Sequence, residues 1–227
     1  MNDNRRTRIS ADLLQTPRTT VRRKPSRGSY DWDTIAAILD EGIFCHIGFV
    51  AGGQPYVVPT GYGRDDHTLY LHGSSASRML RSLAGGVPLC FTVSLIDGLV
   101  LARSAFHHSI NYRSVMVLGV AVPLEGDEKL HGLRTITNHM AHGRWDAVRP
   151  PTEQEMAATS VLKLPIDEAS AKVRDVGVLD EEADMELAVW AGVQPLEMVA
   201  GEPIPDGLLP PGVDLPEYLR SYRRPQR

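Results

Sequence analysis

The chain has 227 residues, 42% hydrophobic and 23% charged, with a formal net charge of −4. It holds no run near the ~18 apolar residues that a membrane-spanning helix needs and no apolar N-terminal signal region, so the expected setting is the cytosol. The charge is uneven: residues 1–28 carry eight basic residues against Asp3 and Asp12, which makes this segment +6 and the remainder −10.

The organisation expected from these facts is a basic arm over 1–28, one domain over 29–199 and a Pro-rich tail over 200–227, where Pro203, Pro205, Pro210, Pro211, Pro216 and Pro225 argue against regular structure. A basic arm can serve nucleic acid, but this one lacks interleaved aromatic residues; lying across an acidic partner subunit, or disorder, are the other readings. Cys45 and Cys90 fall in apolar strand-like runs and are read as reduced core residues.

In chain order, Asp31 to Asp40 has apolar residues at helical spacing, an Asp at the N-cap position and Gly42 after its end. Ile43 to Ala51 and Pro55 to Tyr62 read as a hairpin around Gly52-Gly53, with Pro59 marking an edge or a bulge. Thr68 to His72 is a strand, and Met79, Leu80 and Leu83 then form a helical stripe stopped by Gly85-Gly86, with serines where N-caps belong. Val87 to Ile96 and Leu99 to Phe106 are expected to be strands joined by a turn at Asp97-Gly98. Val115 to Pro123 reads as a strand and Glu125 to His142 as a helix. Thr152-Glu153-Gln154-Glu155 is a capping box for a shorter helix, and Ser160 to Ile166 and Ala171 to Val176 are the last strands. Short-spaced strands with helices at the edges, and no strand-helix-strand repeat, predict a mainly β barrel.

Two stretches concentrate polar chemistry. In Ser109 to Ser114, Arg113 offers a fork of donors suited to phosphate or carboxylate, beside Ser109, Asn111 and Ser114 as neutral donors. In His72 to Arg78, a strand ends on a histidine, and Ser74, Ser75 and Arg78 stand at a helix start, where free backbone N–H groups and a cation would act together on an anion. His139 and His142, and the adjacent His107-His108, lack the His-Glu-x-x-His or paired Cys-x-x-Cys patterns of a metal centre, so no metal site is assigned. Phosphate-loop, dinucleotide-fold and nucleophile-elbow motifs do not occur, which leaves a phosphate-bearing cofactor held in another way.

The segments Gln54 to Pro59, Tyr70-Leu71-His72-Gly73-Ser74, Asp97-Gly98-Leu99-Val100, His108 to Val115 and Trp190 to Leu196 resemble the FMN-binding split-barrel proteins. The likeness is to the flavin-nucleotide-binding branch of the pyridoxamine 5′-phosphate oxidase-like family, which also holds nitroimidazole-resistance proteins. The resemblance implies a six-stranded Greek-key split β-barrel and a homodimer with flavin at the subunit interface. It implies FMN contacts at Ser74, Ser75, Arg78, Asn111, Tyr112, Arg113 and Ser114, an aromatic contact from Trp190, and His72 facing a small organic substrate. Basic residues that would hold a vitamin B6 phosphate near the C-terminus are not found. The expected function is a flavin-dependent oxidoreductase working by hydride or electron transfer, with FAD or a deazaflavin as alternatives to FMN. The rival expectation is a flavin or haem carrier without turnover, with His72, His107 and His108 as conceivable haem ligands; nucleic-acid binding through the arm is the third.

Overall fold

The computed structural model describes residues 10–223. In chain order the elements are α1 (Ala11–Leu14), β1 (Gly28–Ser29), α2 (Trp32–Glu41), β2 (Phe44–Ala51), β3 (Gln54–Gly61), β4 (Gly63–Asp65), β5 (Thr68–Ser74), α3 (Arg78–Ala84) and β6 (Leu89–Leu101). They continue with β7 (Ser109–Gly119), β8 (Val122–Pro123), α4 (Gly126–Met140), α5 (Glu153–Ala158), β9 (Thr159–Pro165), β10 (Glu168–Arg174), β11 (Gly192–Pro195) and α6 (Glu217–Arg220). Among the described residues no helix is long and apolar enough to cross a membrane.

The chain divides into two compact units. The first comprises the chain up to Gly42, Phe91–Leu118 and Asp167–Met198. Its sheet runs β1-β10-β7-β6, with β11 on β6, and the β1–β10, β10–β7 and β11–β6 pairs are antiparallel. Alternation along β7 buries Asn111, Arg113, Val115 and Val117 and turns the residues between them away. The α2 helix starts where Asp31 accepts from Thr34 N–H at 2.9 Å, and it buries Trp32, Ile35, Ile38 and Leu39. Fully burying each such aliphatic side chain is worth about 1.5–3 kcal/mol, so the packing of this face, more than propensity, holds the helix.

The second unit comprises Ile43–Cys90, Gly119–Ile166 and the chain from Val199 onward. It contains the β2–β3 hairpin, turned by Gly52 and Gly53 at φ 57° and 75°, and the sheet β4-β5-β9-β8. The α4 helix lies on that sheet through Ile136, which packs with Tyr70, Leu124 and Val161. Two glycines permit the approach. A Cβ at Gly63 would stand 2.7 Å from Ile136 Cα, and one at Gly132 would meet Val161 and Tyr70 at 2.8 and 2.9 Å.

The helices expected over 31–40, along the stripe Met79, Leu80 and Leu83, and over 125–142 are present as α2, α3 and α4, as is the capping box: Thr152 N–H donates to Glu155 Oε2 at 2.8 Å and Glu155 N–H to Thr152 Oγ1 at 3.3 Å. Four expectations need correction. Asp97-Gly98 is not a hairpin turn; β6 runs straight through it. Gly98 is there because β11 comes so close that a Cβ would meet Gln194 O at 3.0 Å. The strand read as starting at Val115 begins at Ser109, so the polar half of that stretch is itself strand. The described part of the N-terminal segment is packed: Leu14 and Thr19 are 0% and 1% exposed, Arg18 pairs with Glu168, and β1 adds to β10. The Pro-rich tail includes one helical turn, α6, and docks where Tyr222 Oη donates to Met140 O at 2.9 Å and Arg144 donates to Tyr218 Oη at 3.0 Å.

Candidate functional site

In the second unit, β5 delivers His72 and Ser74 at its C-terminal end, paired with Val161 and Thr159 of β9. Ser75 N–H donates to Ala158 O at 2.9 Å, and the chain turns into α3, whose N-cap is Ser77. The expected neighbours His72, Ser74, Ser75 and Arg78 thus lie within one strand end and one helical turn. Ser74, Ser75 and Arg78 are exposed. Arg78 rests over the Tyr56 ring, 5.3 Å from its centroid, and donates to Tyr56 Oη at 3.1 Å. Tyr56 is itself stacked on Phe49 at 5.4 Å. The guanidinium is therefore oriented by a phenol while its charge stays uncompensated by any carboxylate among the described residues. His72 is different: Nδ1 is buried without a hydrogen-bond partner, and burial pushes the imidazole below its ordinary 6.5. A neutral ring with a lone pair in a dry setting can accept a proton or ligate a metal.

In the first unit the alternation of β7 separates residues that the sequence reading grouped together. Ile110, Tyr112 and Ser114 line a groove of about 660 Å³ with Ser94, Ile96, His108 and Ser109. His108 Nδ1 sits 2.9 Å from Ser104 O. A ring nitrogen facing a carbonyl is the donor, so a singly protonated His108 carries its lone pair on Nε2, the form in which metal-bound imidazoles are held. Ser114 Oγ donates to Lys172 O at 3.3 Å. Trp190 precedes β11 and is 67% exposed, its indole close over Gly192, where a Cβ would meet the ring at 2.9 Å.

Asn111 and Arg113 face the buried side. Arg113 Nε and Nη2 donate to Asp97 at 2.9 and 2.7 Å, and Nη2 and Nη1 donate to Glu41, the former at 2.9 Å. Four of its five N–H donors are committed to two carboxylates, and the trio is net negative. These contacts, Glu41 before Asp97, raise the Arg113 guanidinium above its already high ordinary value, against the opposing effect of burial. The phosphate role expected for Arg113 therefore meets an occupied fork and an opposing charge. Asn111 Oδ1 accepts from Arg174 Nη1 and from Val176 N–H at 3.4 Å, which turns it inward too. Glu41, Asp97 and Arg174 were missed by sequence reasoning; Asp97 was hidden by the turn-like Asp-Gly pair.

A sequence profile described as pyridoxamine 5′-phosphate oxidase matches residues 31–173. The chain belongs to that family. Its mainly β, antiparallel architecture is the family's split barrel. A search of curated proteins finds no match. Among solved structures, the flavocytochrome Anf3 from Azotobacter vinelandii is 40% identical, with a TM-score of 0.86 over 92% of this chain and 97% of that one. A FAD and heme binding protein from Mycobacterium smegmatis is 34% identical, with a TM-score of 0.82 over 86% of this chain and 96% of that one. A putative 5-nitroimidazole antibiotic resistance protein from Bacteroides thetaiotaomicron is 25% identical, with a TM-score of 0.54 over 75% and 90%.

Proposed function

We propose that this family member is a flavin-dependent oxidoreductase that also seats a haem, and that it exchanges electrons with a small organic substrate. The observation that carries this reading is the likeness, over 92% of the chain, to a protein described as a flavocytochrome. The residues present fit both groups. Ser75 and Arg78 offer exposed neutral and cationic donors for a flavin nucleotide's phosphate, FMN or FAD. The groove of Ile96, Ile110 and Tyr112 would give apolar walls to a planar ring, and His108, tethered to Ser104 O, would offer Nε2 to the haem iron. His72, kept neutral by burial and with Nδ1 unpartnered among the described residues, is the residue to accept or hold a proton at Nδ1.

A bound flavin supplies a two-electron acceptor and a bound haem a one-electron acceptor. The chain's own contribution is to orient them, exclude water and hold the charge: Arg78 neutralises phosphate and Tyr56 fixes Arg78. The same reading takes the protein as a homodimer with cofactor at the subunit interface. Val57, Ile96 and Trp190, at 68%, 57% and 67% exposure, supply apolar surface for that contact. The test is the absorption spectrum of the purified protein, with mass analysis of the released chromophores. Flavin bands with a Soret band, and flavin bleaching on addition of NAD(P)H, are expected. A protein that is colourless and gains neither feature after FMN, FAD or haemin is added overturns the proposal.

A further inference from the structure

Arg174 closes β10 and is 4% exposed. A guanidinium keeps its charge at any pH a folded protein meets, and removing that charge from water is costly unless an opposite charge compensates it. Here every acceptor is neutral. Nη1 donates to Asn111 Oδ1 and to Val176 O at 3.1 Å, and Nη2 makes only a long contact with Gly177 O at 3.5 Å. Nε is buried with no partner among the described residues. No carboxylate among them pairs with Arg174, and the charged group felt most strongly is another cation: burial first, then Arg27, lowers Arg174 from its ordinary value, while Tyr112 acts in the other direction. Arg27, half-buried at the end of the turn Pro25–Arg27, has no side-chain hydrogen bond or ion pair among the described residues either.

Two neighbouring cations, one almost fully buried, are thus left without counter-charge, in the same unit where Arg113 has two carboxylates to itself. We propose that Arg174 and Arg27 form a seat for an oxyanion, a phosphate or a carboxylate carried by a bound ligand. The Nε–Nη2 edge of Arg174 provides the bidentate contact and Arg27 the second charge. Tyr112, opposite Arg174 in the strand register, adds a phenol on the groove side. The peptide that covers this edge is thin. Val176 is 45% exposed, and a Cβ built on Gly177 would meet nothing within 4 Å, so the Gly177 carbonyl can yield its place to a ligand oxygen. The seat is argued from the two arginines alone; its occupation by a haem carboxylate, or by a flavin phosphate other than the one given to Arg78, rests on the function proposed above.

The test uses the full-length protein as wild type, R174Q, R174K and R27Q, all checked for folding by circular dichroism. Each is titrated with inorganic pyrophosphate and assayed for flavin and haem content. Loss of a charge-assisted fork weakens the affected ligand about tenfold or more in R174Q, less in R174K and R27Q. Flavin lost from R174Q with the Soret band intact assigns the seat to the flavin phosphate; the converse assigns it to a haem carboxylate; pyrophosphate binding weakened with both cofactors retained assigns it to a free oxyanion. All three support the proposal. R174Q and R27Q that keep both cofactors and bind pyrophosphate within twofold of wild type overturn it. Should R174Q fail to fold, R27Q, outside the core, decides by the same readings. If the wild type takes up neither cofactor, the flavin and haem reading has failed, and the pyrophosphate titration alone decides the seat.

Discussion

Replacing Arg113 with Met separates a structural role from a phosphate-binding one. The substitution keeps an unbranched apolar stem and removes a guanidinium that makes four hydrogen bonds to Glu41 and Asp97. Removing one partner of a buried ion pair costs about 3–5 kcal/mol, because the remaining charge is left unpaired. The three side chains are 11%, 18% and 23% exposed, so some solvent screening remains and the lower end of that range, about 3 kcal/mol, is expected. For a chain of this size ~1 kcal/mol moves the melting temperature by about 2–4 °C, which places the R113M shift near 6–12 °C. Urea denaturation of the cofactor-free protein measures it directly. E41Q and D97N each leave Arg113 one carboxylate and cost about 1–2 kcal/mol. The triple variant R113M/E41Q/D97N leaves no unpaired charge and is more stable than R113M alone. An R113M protein that melts within 1 °C of wild type but binds flavin at least tenfold more weakly would refute this account and return Arg113 to the cofactor.

Other perturbations probe separate parts of the molecule. His72 is held below 6.5 by burial, so its unfolded form takes up a proton first as pH falls; stability declines below pH 6.5 until the folded pKa is passed, and H72F removes that part of the decline in acid-range melting curves. Arg149 first, then the Thr152 backbone, holds Glu155 at about 2, so its contribution to α5 is complete above pH 4.5 and is lost only as pH drops from there toward 2; E155Q flattens that segment of the titration. T152A removes the cap and lowers stability by about 1 kcal/mol in denaturant titrations, with hydrogen exchange rising first at the α5 amides. G63A forces a Cβ against the α4 backbone at 2.7 Å and destabilises by about 1–3 kcal/mol or more; a melting temperature equal to that of wild type would mean that α4 is not seated as described.

Much of the fold is legible in the sequence because local chemistry and tertiary packing agree there. Asp31 and Thr152 cap the helices that their positions predict, and Gly52-Gly53 turns the hairpin that its flanking β-branched residues announce. Asp97-Gly98 misleads because a dipeptide signal cannot reveal that β11, almost a hundred residues later in the chain, will need a side-chain-free position beside it. The packed N-terminal segment is hidden for a related reason. Arg18 finds Glu168 and Leu14 finds a core only after the sheet exists, so neither pairing has a local signature. The cluster at 72–78 survives folding as a group because a strand end and a helix start keep sequence neighbours together. The cluster at 109–114 does not, because a strand sends successive residues to opposite faces.

The two buried arginines show how far residue type alone can carry a functional reading. Arg113 has the neighbours in sequence that an anion site would want, yet its donors are spent on Glu41 and Asp97, and an anion approaching it meets two negative charges before one positive. Arg174 has no such neighbours: it ends a short strand after Lys172 and Val173 and looks like an ordinary surface cation. Only its surroundings distinguish it, through burial, neutral acceptors, an idle Nε and a second arginine at hand. What decides between them is the charge that each guanidinium lacks. A saturated fork is complete within the chain, whereas an unpaired buried one is stabilised by an anion that something outside the chain supplies.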